Sequence, residues 1–218
     1  MTHTAVLERI EKCGILPVAV VSDPAVAAEL AGAVSGGGLD VIEVTLRTAA
    51  AGAVIREMAA SGHILVGAGT VRTRAQVQMA ADAGAAFVVT PGLSTAVVRE
   101  CAMLGLPVVP GIATPTELMT ALDAGLTTVK FFPAVAAGGT AMLTSMAGPF
   151  ADAQFIPTGG ITAANALDFL SLPQVLAVGG SWMVAADLVD AGRFDSIREL
   201  SRGAAELVEG SRSSKVAS

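Results

Sequence analysis

Short runs of β-branched and aliphatic residues alternate along this chain with longer Ala-rich stretches of helical pattern, the signature of parallel βα units. The strand-like runs fall at residues 16–21, 40–46, 64–69, 86–90, 107–111, 127–132, 154–158 and 175–179, which makes eight. Between them lie helical patterns such as 24–34, 49–61, 73–83, 95–104 and 115–124, several of them stopped by glycine. Ala83-Gly84 and Ala124-Gly125 recur at equivalent places and lead into the next strand, as helix-to-strand turns do. Eight such units predict a (β/α)8 TIM barrel, with an extra helix at residues 4–12 ahead of the first strand. An open doubly wound sheet is the competing architecture. No linker or low-complexity segment interrupts the alternation, so a single domain over 1–209 is expected, with a flexible tail at 210–218.

Composition narrows the function classes. With 218 residues, 53% of them hydrophobic and 15% charged, the chain can bury a large core and is not expected to be disordered. Gly, Pro, Asp or Arg interrupts every apolar run before the roughly 18 residues that cross a bilayer, so no membrane association is expected. The first residues carry Glu8, Arg9, Glu11 and Lys12 at helical spacing and lack a signal-peptide core, so a cytoplasmic location is the default. Cys13 and Cys101 follow no disulfide or zinc pattern and read as core fillers. A net charge of −6 without a basic run disfavours nucleic acid, yet leaves room for a local positive pocket that takes a small anion.

The chemistry concentrates at the C-terminal ends of the predicted strands, where barrels of this type carry their sites. Lys130 stands inside Thr127-Thr128-Val129-Lys130-Phe131-Phe132-Pro133, and the other lysines, Lys12 and Lys215, lie near the termini. Burial among Val and Phe disfavours an ammonium and favours a neutral, nucleophilic amine. A strand-end lysine snorkelling to water fits the same segment. In Glu43-Val44-Thr45-Leu46-Arg47, alternation puts Glu43, Thr45 and Arg47 on one face if the strand stays regular. Taken alone, Glu43 and Arg47 read as an internal ion pair; with Lys130 arriving nearby, three ionisable groups at one end read better as a site. Gly159-Gly160 and Gly180-Ser181 follow the last two strands, where backbone N–H groups and a short helix often cradle phosphate. Each glycine pair alone is also an ordinary tight turn. Dinucleotide and P-loop fingerprints are absent. His3 and His63 are at the wrong end for a metal or a Ser-His-Asp triad, and Glu43 alone is thin support for magnesium, so no metal and no cofactor are expected.

Seven segments then occur in a recognisable order: Ile42-Glu43-Val44-Thr45-Leu46-Arg47-Thr48, Val66-Gly67-Ala68-Gly69-Thr70-Val71, Thr90-Pro91-Gly92-Leu93, Val109-Pro110-Gly111-Ile112-Ala113-Thr114, Val129-Lys130-Phe131-Phe132-Pro133-Ala134, Pro157-Thr158-Gly159-Gly160-Ile161 and Gly179-Gly180-Ser181-Trp182. Over nearly its whole length the chain resembles the 2-keto-3-deoxy-6-phosphogluconate (KDPG) aldolases, class I Schiff-base-forming (β/α)8 enzymes. The resemblance implies a phosphorylated keto-acid substrate and a homotrimer. It makes Lys130 the Schiff-base lysine, Glu43 the general acid/base and Arg47 the ligand of the pyruvoyl carboxylate. Thr70, the Pro91 carbonyl and Thr158 match substrate-pocket positions, and Gly159, Gly160, Gly180 and Ser181 match the phosphate end. One departure is the loop after the lysine, which commonly reads Pro-Ala-Glu and here reads Pro133-Ala134-Val135. Thr158 is similar to the gluconate-type enzymes, where galactonate-type relatives more often carry Val. The runner-up substrates are 2-keto-4-hydroxyglutarate and the phosphogalactonate analogue. An isomerase-type or metal-dependent phosphosugar barrel and a catalytically silent phosphate-binding barrel are the competing readings from other classes.

Overall fold

The computed structural model describes residues 2–216 of the chain. It opens with α1 (His3–Cys13), whose first turn is capped by Thr2 and whose end is turned by Gly14 at φ 71°. β1 (Ile15–Ala19) follows, then a 3-10 turn (Pro24–Val26) that feeds α2 (Ala27–Gly36). The alternation continues through β2 (Val41–Thr45), α3 (Ala51–Ser61), β3 (Leu65–Gly69), α4 (Arg74–Asp82), β4 (Phe87–Val89) and α5 (Thr95–Met103). Next come β5 (Val108–Val109), β6 (Gly111–Ile112), α6 (Pro115–Asp123), β7 (Thr128–Phe131), α7 (Gly139–Ala147) and β8 (Gln154–Pro157). α8 (Ala166–Leu170), β9 (Val178–Gly180), a 3-10 turn (Trp182–Val184), α9 (Ala186–Asp190) and α10 (Phe194–Val216) complete it.

Local chemistry explains these boundaries. Thr73, Ser94 and Thr114 each cap a helix by accepting a backbone N–H, and Thr114 with Glu117 forms a reciprocal capping box. The turns at Ala83-Gly84 and Ala124-Gly125 close by the same pair of bonds: Gly84 N–H to Ala81 and Ala85 N–H to Ala80, then Gly125 N–H to Leu122 and Leu126 N–H to Ala121. Both glycines sit at positive φ, 84° and 78°, so the repeated Ala-Gly pairs are the same helix stop used twice.

All the paired strands are parallel and fall in two sheets, β5-β4-β3-β2-β1-β9 and β6-β7-β8, so the architecture is α/β with helices between parallel strands. The run expected as one strand at 107–111 is cut at Pro110, which has no N–H for a ladder, into β5 and β6. Two isolated parallel bridges, Phe155 to Val175 and Thr158 to Gly179, join the segments of β8 and β9. β2, β3 and β7 are buried at every position, so their side chains are packed on both faces, as the near-continuous apolar runs required. Phe87, Phe131 and Phe155 are among the largest fully buried side chains, each contributing about 1.5–3 kcal/mol by leaving water. α10 runs on to Val216 and carries residues 210–216 of the segment expected as a flexible tail; residues 217–218 lie outside the described residues.

Candidate active site

Lys130 and Glu43 reach each other from β7 and β2. Lys130 Nζ lies 3.2 Å from Glu43 Oε1 and 3.4 Å from Oε2, forming a bifurcated charge-assisted contact. Glu43 is 0% and Lys130 5% exposed. The snorkelling alternative is therefore excluded: the head of Lys130 stays inside. The Phe132 ring lies under the same amine, its centroid 5.3 Å from Nζ, in cation–π range. Gly69 makes the space for the carboxylate, as Gly67 on the same strand does for Phe87. A Cβ on Gly69 would run into the Glu43 carboxylate, and a Cβ on Gly67 would run into the Phe87 ring. An amine and a carboxylate in contact away from water can exchange a proton directly, which is the requirement for an amine that must become neutral to attack a carbonyl.

Arg47 departs from its expected place. β2 ends at Thr45, the chain turns with Arg47 N–H to the Thr45 carbonyl at 2.8 Å, and Arg47 emerges exposed. The regular alternation that would have aligned it with Glu43 stops because Thr45 bonds the Ala19 carbonyl at 3.1 Å and Thr48 bonds the Val21 carbonyl at 2.7 Å, fastening the turn to the end of β1. Glu43 thus pairs with Lys130, and among the described residues Arg47 has no ion-pair partner. It is an unspent guanidinium at the rim of a cleft.

That cleft, of about 350 Å³, is lined by Arg47, Phe132, Thr158, Gly159, Gly160, Ile161, Gly180 and Ser181, with Val18, Val20 and the 184–186 segment completing the wall. It gathers six of the ten residues expected at the site. Lys130 and Glu43 do not line it; Phe132 does, and its ring is the one in cation–π range of the amine. Thr70 and Pro91 lie outside the lining too. Thr70 directly follows Gly69, against which the Glu43 carboxylate packs, and holds φ at 57°, unlike every other non-glycine among the described residues. Pro91 lies beside Gly111, the residue paired with Lys130, and Thr90 fixes that junction by accepting the Gly111 N–H at 3.0 Å. Thr158 directly follows β8, bridges to Gly179 and is buried. Phe132 and Thr90 stand in the sequence motifs without a role, and Gly69 reads there only as a strand-end glycine; their parts here depend on contacts between strands, which periodicity along one strand does not display.

Cys13 and Cys101 are buried free thiols; burial raises both, Cys101 to about 11, so neither favours a thiolate. Among the described residues no three His, Cys, Asp or Glu side chains gather as a metal set. No helix among them is long and apolar enough to cross a membrane.

Comparison with known proteins gives a consistent result. The sequence model of the family described as KDPG and KHG aldolase matches residues 6–200. A 2-dehydro-3-deoxy-phosphogluconate aldolase of Treponema pallidum is 43% identical over 206 residues, covering 93% of this chain and 97% of its own. A KHG/KDPG aldolase of Escherichia coli is 44% identical over 199 residues, with coverage of 91% and 92%. Among solved structures, a KDPG aldolase from Legionella pneumophila with pyruvate captured at low pH as a covalent carbinolamine superposes with a TM-score of 0.88 at 36% identity, covering 94% of this chain and 98% of the other.

Proposed function

The chain belongs to the KDPG and KHG aldolase family, and from that premise we infer that it is a class I aldolase that cleaves 2-keto-3-deoxy-6-phosphogluconate to pyruvate and glyceraldehyde 3-phosphate through a Schiff base on Lys130. The observation that carries the residue assignment is the buried contact of Lys130 Nζ with Glu43 at 3.2 Å, beside a cleft with a glycine turn in its wall.

In this reading Glu43 takes a proton from Lys130, and the neutral amine adds to the C2 carbonyl carbon; the nitrogen of the adduct gives up one proton as the carbonyl oxygen gains one, leaving a neutral carbinolamine. A second proton to that oxygen expels water and leaves a protonated imine. Loss of the C4 hydroxyl proton then lets the C3–C4 bonding pair move into the imine, giving an enamine as the aldehyde departs. Protonation at C3 restores the imine, water adds, and the C2–N bond breaks to free pyruvate and the lysine. Arg47, unpaired and at the cleft rim, holds the pyruvoyl carboxylate in a fork that Lys could not reproduce. Thr70 and the Pro91 carbonyl flank the reacting carbons, with Thr158 at the cleft wall. Gly159, Gly160, Gly180 and Ser181 receive the phosphate, whose binding energy orients carbons several ångströms away.

The site fits a closed eight-stranded barrel, the architecture we propose for the two sheets. β1 pairs with the last strand, β9, on one side and with β2 on the other; β5 and β6 are consecutive about Pro110; the bridges at Phe155 and Thr158 span the remaining gap. In the cell we place it in the cytoplasm as a homotrimer, the state the family resemblance implies; sedimentation equilibrium checks it. A second substrate, 2-keto-4-hydroxyglutarate, is favoured by the name of the Escherichia coli relative, KHG/KDPG aldolase.

Borohydride reduction in the presence of pyruvate tests the central step. A three-carbon adduct on Lys130 is the expected product by peptide mass spectrometry. No adduct, or one on Lys12 or Lys215, overturns the imine assignment.

A further inference from the structure

The glycine turn in the cleft is held from outside it. Gly159 and Gly160 adopt φ values of 99° and 76°, so β8 does not dictate where the peptide planes of this turn point. Two contacts dictate it instead. On one flank the Val135 N–H donates to the Gly159 carbonyl at 3.1 Å, and the Val135 side chain stands where a Gly160 Cβ would go. On the other flank a single half-buried side chain brackets the turn: Asn165 donates from Nδ2 to the Gly160 carbonyl at 3.0 Å and accepts the Thr162 N–H at Oδ1 at 2.8 Å.

A trans peptide carries its C=O and the following N–H in opposite directions. Fixing the Gly160 carbonyl therefore aims the Ile161 N–H, just as fixing the Gly159 carbonyl aims the Gly160 N–H. Both residues line the cleft, and neither N–H meets an acceptor among the described residues. Asn165 does not cap α8, where no side-chain cap bond is made, so its two hydrogen bonds are both spent on the turn.

We propose that Asn165 is a positioning residue for the phosphate monoester of the substrate, holding the Ile161 N–H toward the cleft without touching the ligand. The proposal rests on the reading of the glycine-lined cleft as the phosphate end of the site. The test uses full-length Asn165→Ala and Asn165→Asp with three readouts: KM and kcat for 2-keto-3-deoxy-6-phosphogluconate, the same for the phosphate-free 2-keto-4-hydroxyglutarate, and proton exchange at C3 of pyruvate. Asn165→Ala raises KM for the phosphorylated substrate by about 5- to 30-fold, the effect of one hydrogen bond to a charged group, with phosphate-free cleavage and pyruvate exchange within about twofold. Asn165→Asp keeps the shape and the Thr162 bond but cannot donate to Gly160, and brings a negative charge near the phosphate; it loses at least as much, and carries the test if the Ala variant does not fold. Equal losses in all three readouts, or an unchanged KM for the phosphorylated substrate, overturn the role of Asn165. A wild-type enzyme with no preference for the phosphorylated substrate overturns the phosphate reading itself, and this is visible before any variant is made.

Discussion

The Lys130–Glu43 contact and the glycine cleft share the Phe132 ring as a neighbour and are built on opposite plans. On the inner side the working groups are ionisable side chains, 5% and 0% exposed, held 3.2 Å apart by strands that are buried throughout. On the outer side the polar part of the wall is glycine turn, Gly159, Gly160 and Gly180 with Ser181, set among apolar side chains, with Arg47 as the cation at the rim. The inner arrangement suits proton transfer, which needs groups of the right kind in contact and free of competing water. The outer one suits an anion that must enter and leave, because backbone N–H donors offer polarity without a full charge to desolvate. Substitutions should therefore be severe inside and graded outside.

The largest effect is expected for Lys130→Ala. Cleavage should fall on the order of 10^4-fold or more, with no borohydride adduct, if Lys130 is the nucleophile we propose. Retained activity would detach the inner pair from the chemistry. Glu43→Gln comes next: loss of a general acid/base costs roughly 10^2- to 10^4-fold. The imine should still form slowly while pyruvate C3 proton exchange collapses, and wild-type exchange rates would remove Glu43 from that role. The pair also has a stability signature. Lys130→Met leaves the Glu43 carboxylate without its partner and should cost about 3–5 kcal/mol in urea unfolding, whereas adding Glu43→Gln to it should recover part of that loss. On the outer side, Gly160→Ala forces a Cβ against Val135 at a φ of 76° and should raise KM for the phosphorylated substrate about 10-fold, at near-normal pyruvate exchange. Smallest is Ser181→Ala, at about 2- to 10-fold in KM, the worth of one neutral hydroxyl where backbone donors remain. If Ser181→Ala proves as damaging as Glu43→Gln, the contrast between the two plans fails.

Much of this was legible in the sequence, because strand burial and residue chemistry are written in local order. Lys130 among Val and Phe announced a buried amine, and the glycine pairs after two late strands announced the cleft. Three features were not legible. Arg47 leaves the strand because Thr45 and Thr48 bond the end of β1, a tertiary contact that alternation within one strand cannot register. The fifth run divides at Pro110, which looked like a strand end because its missing N–H has the same local meaning in either position. Asn165 gave no signal, since a side chain that ties a loop follows no periodicity and carries no reactive group.

The glycines of β3 have a further consequence for how this chain can vary. Gly67 and Gly69 owe their identity to the outlines of Phe87 and Glu43, side chains belonging to other strands. In a saturation scan they should behave as an imprint: intolerant positions whose map of permitted replacements traces the neighbour's volume. A smaller residue in place of Phe87 would be expected to release Gly67 and leave Gly69 as constrained as before, so the two adjacent constraints can be inherited and lost independently.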